Sequence, residues 1–231
     1  MKRNPEAWIA ALIIITIEIT MTLLYDVTYN INDDIMIESV LSGTFSGTPS
    51  GMCYYMGVPL SSFLALLYGW FPAIPWLGCF FVLVYSCCAW TMLVLLLKKA
   101  ETRQGKMLVC GFFVLFWFAF MASGFILIHY TVTAAVCGAT AVFYVAFSKD
   151  DKGEGTVLLS FAPAVLLLWL TYLIRENVFF MVLPFLGVAG ICRLVREGFS
   201  KIRRYLSLIG LFVIGFIVLF GVNKLAYSGE R

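Results

Sequence analysis

Stretches of apolar sequence long enough to cross a bilayer recur along the whole chain, and they exclude every fold that keeps its surface in water. Runs near residues 7–29, 76–97, 107–128, 131–147, 156–174, 178–195 and 205–222 carry few charges. About 17 to 25 apolar residues wound as an α-helix match the thickness of the hydrocarbon core. Lipid offers no partner to a free N–H or C=O, so each run is helical. The predicted fold class is an all-α polytopic membrane protein, one transmembrane domain over residues 1–231. Hydrophobic residues at 62% and a mean hydropathy of +0.96 agree, because a soluble domain cannot hide that much apolar surface.

An eighth apolar run, near 54–71, decides on which side everything after it lies. Gly57 and Pro59 interrupt its start, and Gly69, Pro72 and Pro75 close its end. The helix left between them, about 59–70, covers roughly 15 to 18 Å, half the hydrocarbon thickness. It is therefore predicted to lie in the interface or dip in and return, with Leu60, Phe63, Leu64 and Leu67 on one face. Charge supports this. With the run not crossing, one side holds Lys2, Arg3, Lys98, Lys99, Arg103, Lys106, Lys149, Lys152, Arg193, Arg196, Lys201, Arg203 and Arg204, and the other only Arg175, Lys224 and Arg231. The positive-inside bias then predicts seven spans, a cytoplasmic N-terminus and one large outer loop from Asn30 to Pro75. Lys2 and Arg3 before the run Ala7–Leu24, with no small-residue cleavage site after it, mark a retained signal anchor.

Within that loop, Asn32-Asp33-Asp34 stands at the mouth of the first span. The pattern over about 34–42 predicts a short helix with Met36, Ile37, Val40 and Leu41 on one side, Asp34 and Glu38 on the other, and Gly43 ending it. Asn32, Asp33 and Asp34 have two readings. They cap this helix and satisfy its free N–H groups, or a carboxylate serves as a general base at the water boundary. Ser42-Gly43-Thr44-Phe45-Ser46-Gly47-Thr48-Pro49 then supplies an uncharged hydrogen-bonding strip, followed by Tyr54 and Tyr55. Polar and aromatic surfaces of this kind bind sugars.

At these residues the chain resembles the GT-C superfamily of integral membrane glycosyltransferases, of the protein mannosyltransferase and aminoarabinose transferase type. Asp33-Asp34 takes the position of an Asp just after the first helix, and Val58-Pro59-Leu60 looks like the opening of a second juxtamembrane helix. The resemblance covers residues 1 to about 100. It implies transfer of a sugar from a polyprenyl phosphate to an acceptor outside the cytoplasm, in a bacterial plasma membrane, with Asp33 or Asp34 taking the acceptor proton. Glu38, Tyr54, Tyr55, His129 and Arg175 are the candidate substrate-binding residues. Arg175, in the turn Arg175-Glu176-Asn177, either faces the leaving phosphate or pairs with Glu176. His129, the only histidine, is a boundary residue or a ligand. No cofactor is expected; a divalent metal is compatible with some branches, although an adjacent Asp pair alone is thin as a ligand set. Because GT-C enzymes have more spans, the resemblance also implies missing C-terminal helices or an outer domain.

The remaining features are bland or point to rivals. Seven cysteines show no C-x-x-C spacing and, Cys53 apart, sit inside apolar runs, so neither a metal site nor a disulfide framework is predicted. The net charge of +3 falls in short loops and indicates no nucleic acid partner. Glu18, within the first run, is a neutral helix contact, part of a cavity, or the ion site of a transporter. A transporter or a non-catalytic membrane scaffold are the competing functions, and no internal repeat supports the former.

Overall fold

The computed structural model describes residues 4–148, 157–198 and 202–228. The chain is all-α, and among the described residues five helical segments are long and apolar enough to cross a membrane: Pro5–Leu24 (α1), Trp76–Lys99 (α4), Arg103–Ile126 (α5, a π-turn and α6), Tyr130–Phe147 (α7) and Glu176–Glu197 (α9). Val157–Ile174 (α8) and Ile202–Ser228 (α10) complete the bundle, with shorter apolar stretches among their described residues. Leu83, Phe112, Leu115, Phe120, Phe185, Val188 and Ile191 are exposed on these helices. A water-soluble monomer rarely leaves so much apolar surface uncovered, whereas lipid covers it at no cost.

Contacts at the helix termini define two ends. At one, Lys106 Nζ meets Glu6 Oε1 at 2.5 Å, and Arg193 donates to Val145 O and Ser148 Oγ at the close of α7. Lys98, Lys99, Arg103 and Arg196 belong to this basic end. Lys2, Arg3, Lys149, Lys152, Lys201 and Arg231 lie outside the described residues, as do the side chains of Arg203 and Arg204. The other end carries the loop between α1 and α4.

That loop holds two helices, Asn32–Ser42 (α2) and Val58–Trp70 (α3). Gly43 ends α2 at φ 80°, left-handed backbone in which a Cβ would also strike Thr48 and Pro49. α3 starts where Gly57 N–H donates to Leu173 O and Val58 N–H to Asn223 Oδ1, and it finishes where Leu77 N–H donates to the Tyr68 hydroxyl. Leu173, Asn223 and Leu77 all lie at the loop end of the bundle. Both termini of α3 therefore lie at that end, so the helix runs across it instead of through it; its 13 residues reach only about 20 Å. Its buried face is Leu60, Ser61, Leu64, Ala65 and Tyr68, not the purely apolar stripe read from spacing, and Phe63 faces outward. Ser61 turns inward because its hydroxyl finds Gly51 O, which an apolar count does not register.

α1 stops at Leu24, short of the expected 29, because the chain then extends to pair with a distant segment. Thr28–Tyr29 (β1) and Leu127–Ile128 (β2) form a two-residue parallel ladder, continued by Asn30 N–H on Ile128 O at 2.9 Å. The π-turn Trp117–Met121 leads through α6 (Ala122–Ile126) to β2, and the Tyr85 hydroxyl donates to Met121 O at 2.8 Å. Inside the bundle Glu18 accepts from Ser86 Oγ at 2.8 Å, which makes it a contact between α1 and α4.

Candidate functional site

The short ladder sets the site, because pairing residues 28–30 with 127–128 brings the start of α2 against the start of α7. α2 begins after Ile31 with no side-chain cap. The main hydrogen bond of the Asp pair goes to another helix. Asp34 is fully buried, and its Oδ1 accepts the Tyr130 N–H of α7 at 2.9 Å. The next orphan donor, Thr131 N–H, is taken by His129 Nδ1 at 3.1 Å. Two side chains far apart in sequence thus close one helix N-terminus, where negative charge is also favoured by the helix dipole. This places Asp34 on the buried side of α2 with Ile37 and Leu41, while Met36, assigned to that side by spacing, is exposed.

Asp34 Oδ2 receives no hydrogen bond and lies 3.8 Å from His129 Nδ1. That nitrogen's single lone pair is taken by the Thr131 N–H, and 3.8 Å is too long for a hydrogen bond to Asp34. Burial pushes the Asp34 carboxyl up to about 6 from an ordinary 3.8; His129, the Ile31 backbone and Arg175 pull against this and Asp33 adds to it.

Asp33 points elsewhere. It is half-buried, and its Oδ2 is 3.5 Å from the Tyr130 hydroxyl. That hydroxyl accepts from Arg175 Nη1, whose guanidinium also lies over the Tyr130 ring, 4.5 Å from its centroid. His129 stacks on one flank of Tyr130, and Tyr55 meets it edge-on at 6.0 Å. Tyr130, itself buried, is the hub that sequence reasoning passed over. Its only signal was its place directly after the sole histidine, at a helix start.

Arg175 is the N-cap residue of α9 and belongs both to this cluster and to an open cleft of about 510 Å³. Tyr54, Tyr55, Glu176, Asn177 and Tyr227 form the rest of its lining. Tyr227 donates to Cys53 O at 2.6 Å, which pins the loop wall to α10. Tyr54 is 89% exposed and stands perpendicular to Tyr55, ring centroids 5.8 Å apart.

Of the expected residues, Asp33, Asp34, His129, Arg175 and Tyr55 come together around Tyr130, and Tyr54 joins them through the cleft. Glu38 does not. Its Oε2 accepts from both Tyr29 (2.8 Å) and Tyr68 (2.6 Å), tying β1, α2 and α3 together. Burial and the adjacent Glu38 hold both phenols above their usual range. Among the described residues no three His, Cys, Asp or Glu side chains converge as a metal site. Comparison with known protein families, with curated proteins and with solved structures finds no match in any of the three.

Proposed function

We propose that this chain is a membrane glycosyltransferase of the GT-C kind, moving a sugar from a polyprenyl phosphate to an acceptor hydroxyl on the non-cytoplasmic side. One observation carries it: a carboxylate, a guanidinium and a histidine, far apart in sequence, gather around Tyr130 beside a tyrosine-lined cleft at the loop end. The chain crosses seven times with its N-terminus in the cytoplasm, an orientation supported by the basic residues at the opposite end. Asp33 is the general base, because Asp34 is sealed and engaged with a backbone N–H while Asp33 is partly open. As the acceptor oxygen bonds to the anomeric carbon, Asp33 takes its proton and the bond from that carbon to the phosphate oxygen breaks. Arg175, with Nη1 on Tyr130, retains donors for the leaving phosphate.

The test is transfer by the full chain in nanodiscs, with a panel of polyprenyl-phosphate sugars. Asp33→Asn should lower turnover by about 10² or more, and Asp34→Asn should keep a substantial fraction of it. No transfer by the wild type, or a normal rate with Asp33→Asn, refutes the assignment. In a cysteine-free background, Ser46→Cys should react with an impermeant maleimide in intact cells; reaction only after permeabilisation would reverse the orientation.

A further inference from the structure

The Arg175 cleft has a chemistry that selects between ligand classes. Among the described residues its charged lining groups are Arg175 and Glu176, adjacent in sequence and opposite in sign. Part of the guanidinium is already engaged by the Tyr130 hydroxyl and ring. An anion in the cleft would meet the Glu176 carboxylate beside Arg175, so the donor phosphate of the transferase reading approaches Arg175 from the Tyr130 side and not through the cleft. The remaining wall is three tyrosines and an asparagine, aromatic faces next to amide and carboxylate hydrogen-bonding groups. Tyr54 and Tyr55 make a perpendicular corner, and the outer ring is almost wholly exposed at a loop position where a polar residue would cost nothing. Tyr227 lines the same cleft with its hydroxyl donating to Cys53 O. A volume of about 510 Å³ lies within the range of small-ligand clefts, about 300 to 1,000 Å³.

We propose that this cleft binds an uncharged oligosaccharide, its C–H faces stacked in the Tyr54–Tyr55 corner and its hydroxyls held by Asn177 and Glu176. The proposal rests on the transferase reading only in making that saccharide the acceptor. Arg175, shared between the cleft and the Tyr130 cluster, then brings one acceptor hydroxyl toward Asp33. The balance of Arg175 by Glu176 among the described lining residues is what separates a saccharide from a lipid phosphate headgroup.

Ligand-observed NMR on the full chain in nanodiscs tests this, with chitotriose and mannotriose as probes and inorganic phosphate as competitor. At least one trisaccharide should bind, excess phosphate should fail to displace it, and Tyr54→Ala and Asn177→Ala should each weaken it about tenfold. Tyr54 is exposed, so its loss does not threaten the fold. Binding by neither trisaccharide, displacement by phosphate, or unchanged affinity in both variants overturns the proposal. Saccharide binding without transfer from any donor would sink the transferase reading and leave the cleft assignment standing. Transfer that is indifferent to Tyr54→Ala would do the reverse.

Discussion

Replacing Asp34 by asparagine should stabilise the protein at neutral pH and remove part of its pH dependence. Asp34 Oδ1 caps α7 through the Tyr130 N–H, and an amide oxygen can accept the same bond. The new NH₂ takes the place of Oδ2, which has no hydrogen-bond partner and lies 3.8 Å from His129 Nδ1. What the variant loses is a buried charge. The folded carboxyl holds its proton up to about 6 against an ordinary 3.8, and at about 1.36 kcal/mol per tenfold in proton affinity the ionised form costs about 3 kcal/mol. The raised folded value means that this cost is absent below about pH 4, grows between 4 and 6, and is complete above 6. For a chain of this length 1 kcal/mol corresponds to about 2 to 4 °C. Thermal unfolding in detergent micelles, followed by intrinsic fluorescence from pH 4 to 8, should therefore give coincident midpoints near pH 4. Above pH 6 the variant should melt about 6 to 12 °C higher. Taking the difference between the two proteins cancels other titrating groups. A constant offset at every pH, or a variant less stable than the wild type at pH 7, would refute the buried-charge account. Asp34→Ala should differ from both, falling about 1 to 3 kcal/mol below the asparagine variant because α7 then keeps an orphan N–H.

Three further outcomes follow from partners shown by the structure. Glu38→Ala removes the shared acceptor of the Tyr29 and Tyr68 hydroxyls and should lower stability by about 2 to 4 kcal/mol in the same melt, while Glu38→Gln should lose under about 1 kcal/mol. Arg193 is buried among Val145 O, Ser148, Glu197 and the Phe161 ring, and a lysine ammonium cannot span those positions; Arg193→Lys should cost about 3 to 5 kcal/mol in midpoint-derived stability. Gly57→Ala would set a Cβ 2.8 Å from Leu173 Cδ2 and 3.2 Å from its Cα, so the loop should lose about 1 to 3 kcal/mol and be cleaved faster by added protease.

The all-α class and the approximate positions of the helices were legible in the chain because they depend on local pattern, although α1 ends five residues before the expected 29. Apolar runs of bilayer length can only be helices in lipid. Pro59 with Gly57 starts α3, and Gly43 ends α2, for reasons held within a few residues. That a carboxylate pair, a lone histidine and Arg175 share one end was also expected from the side to which the sequence assigned their loops. The division of labour inside that cluster does not. Asp33 and Asp34 are neighbours of the same type, and what separates them is a backbone N–H at Tyr130, brought alongside by a two-residue parallel ladder with no periodicity to detect. Tyr130 became a hub, and Glu38 an internal tie instead of a cleft residue, only once the packing of α2 against α3 and α7 set which polar atoms were within about 3 Å of one another. Hydrogen bonds act over that range and no farther, so they were decided by tertiary structure, whereas burial in lipid acts on whole segments and was decided by sequence.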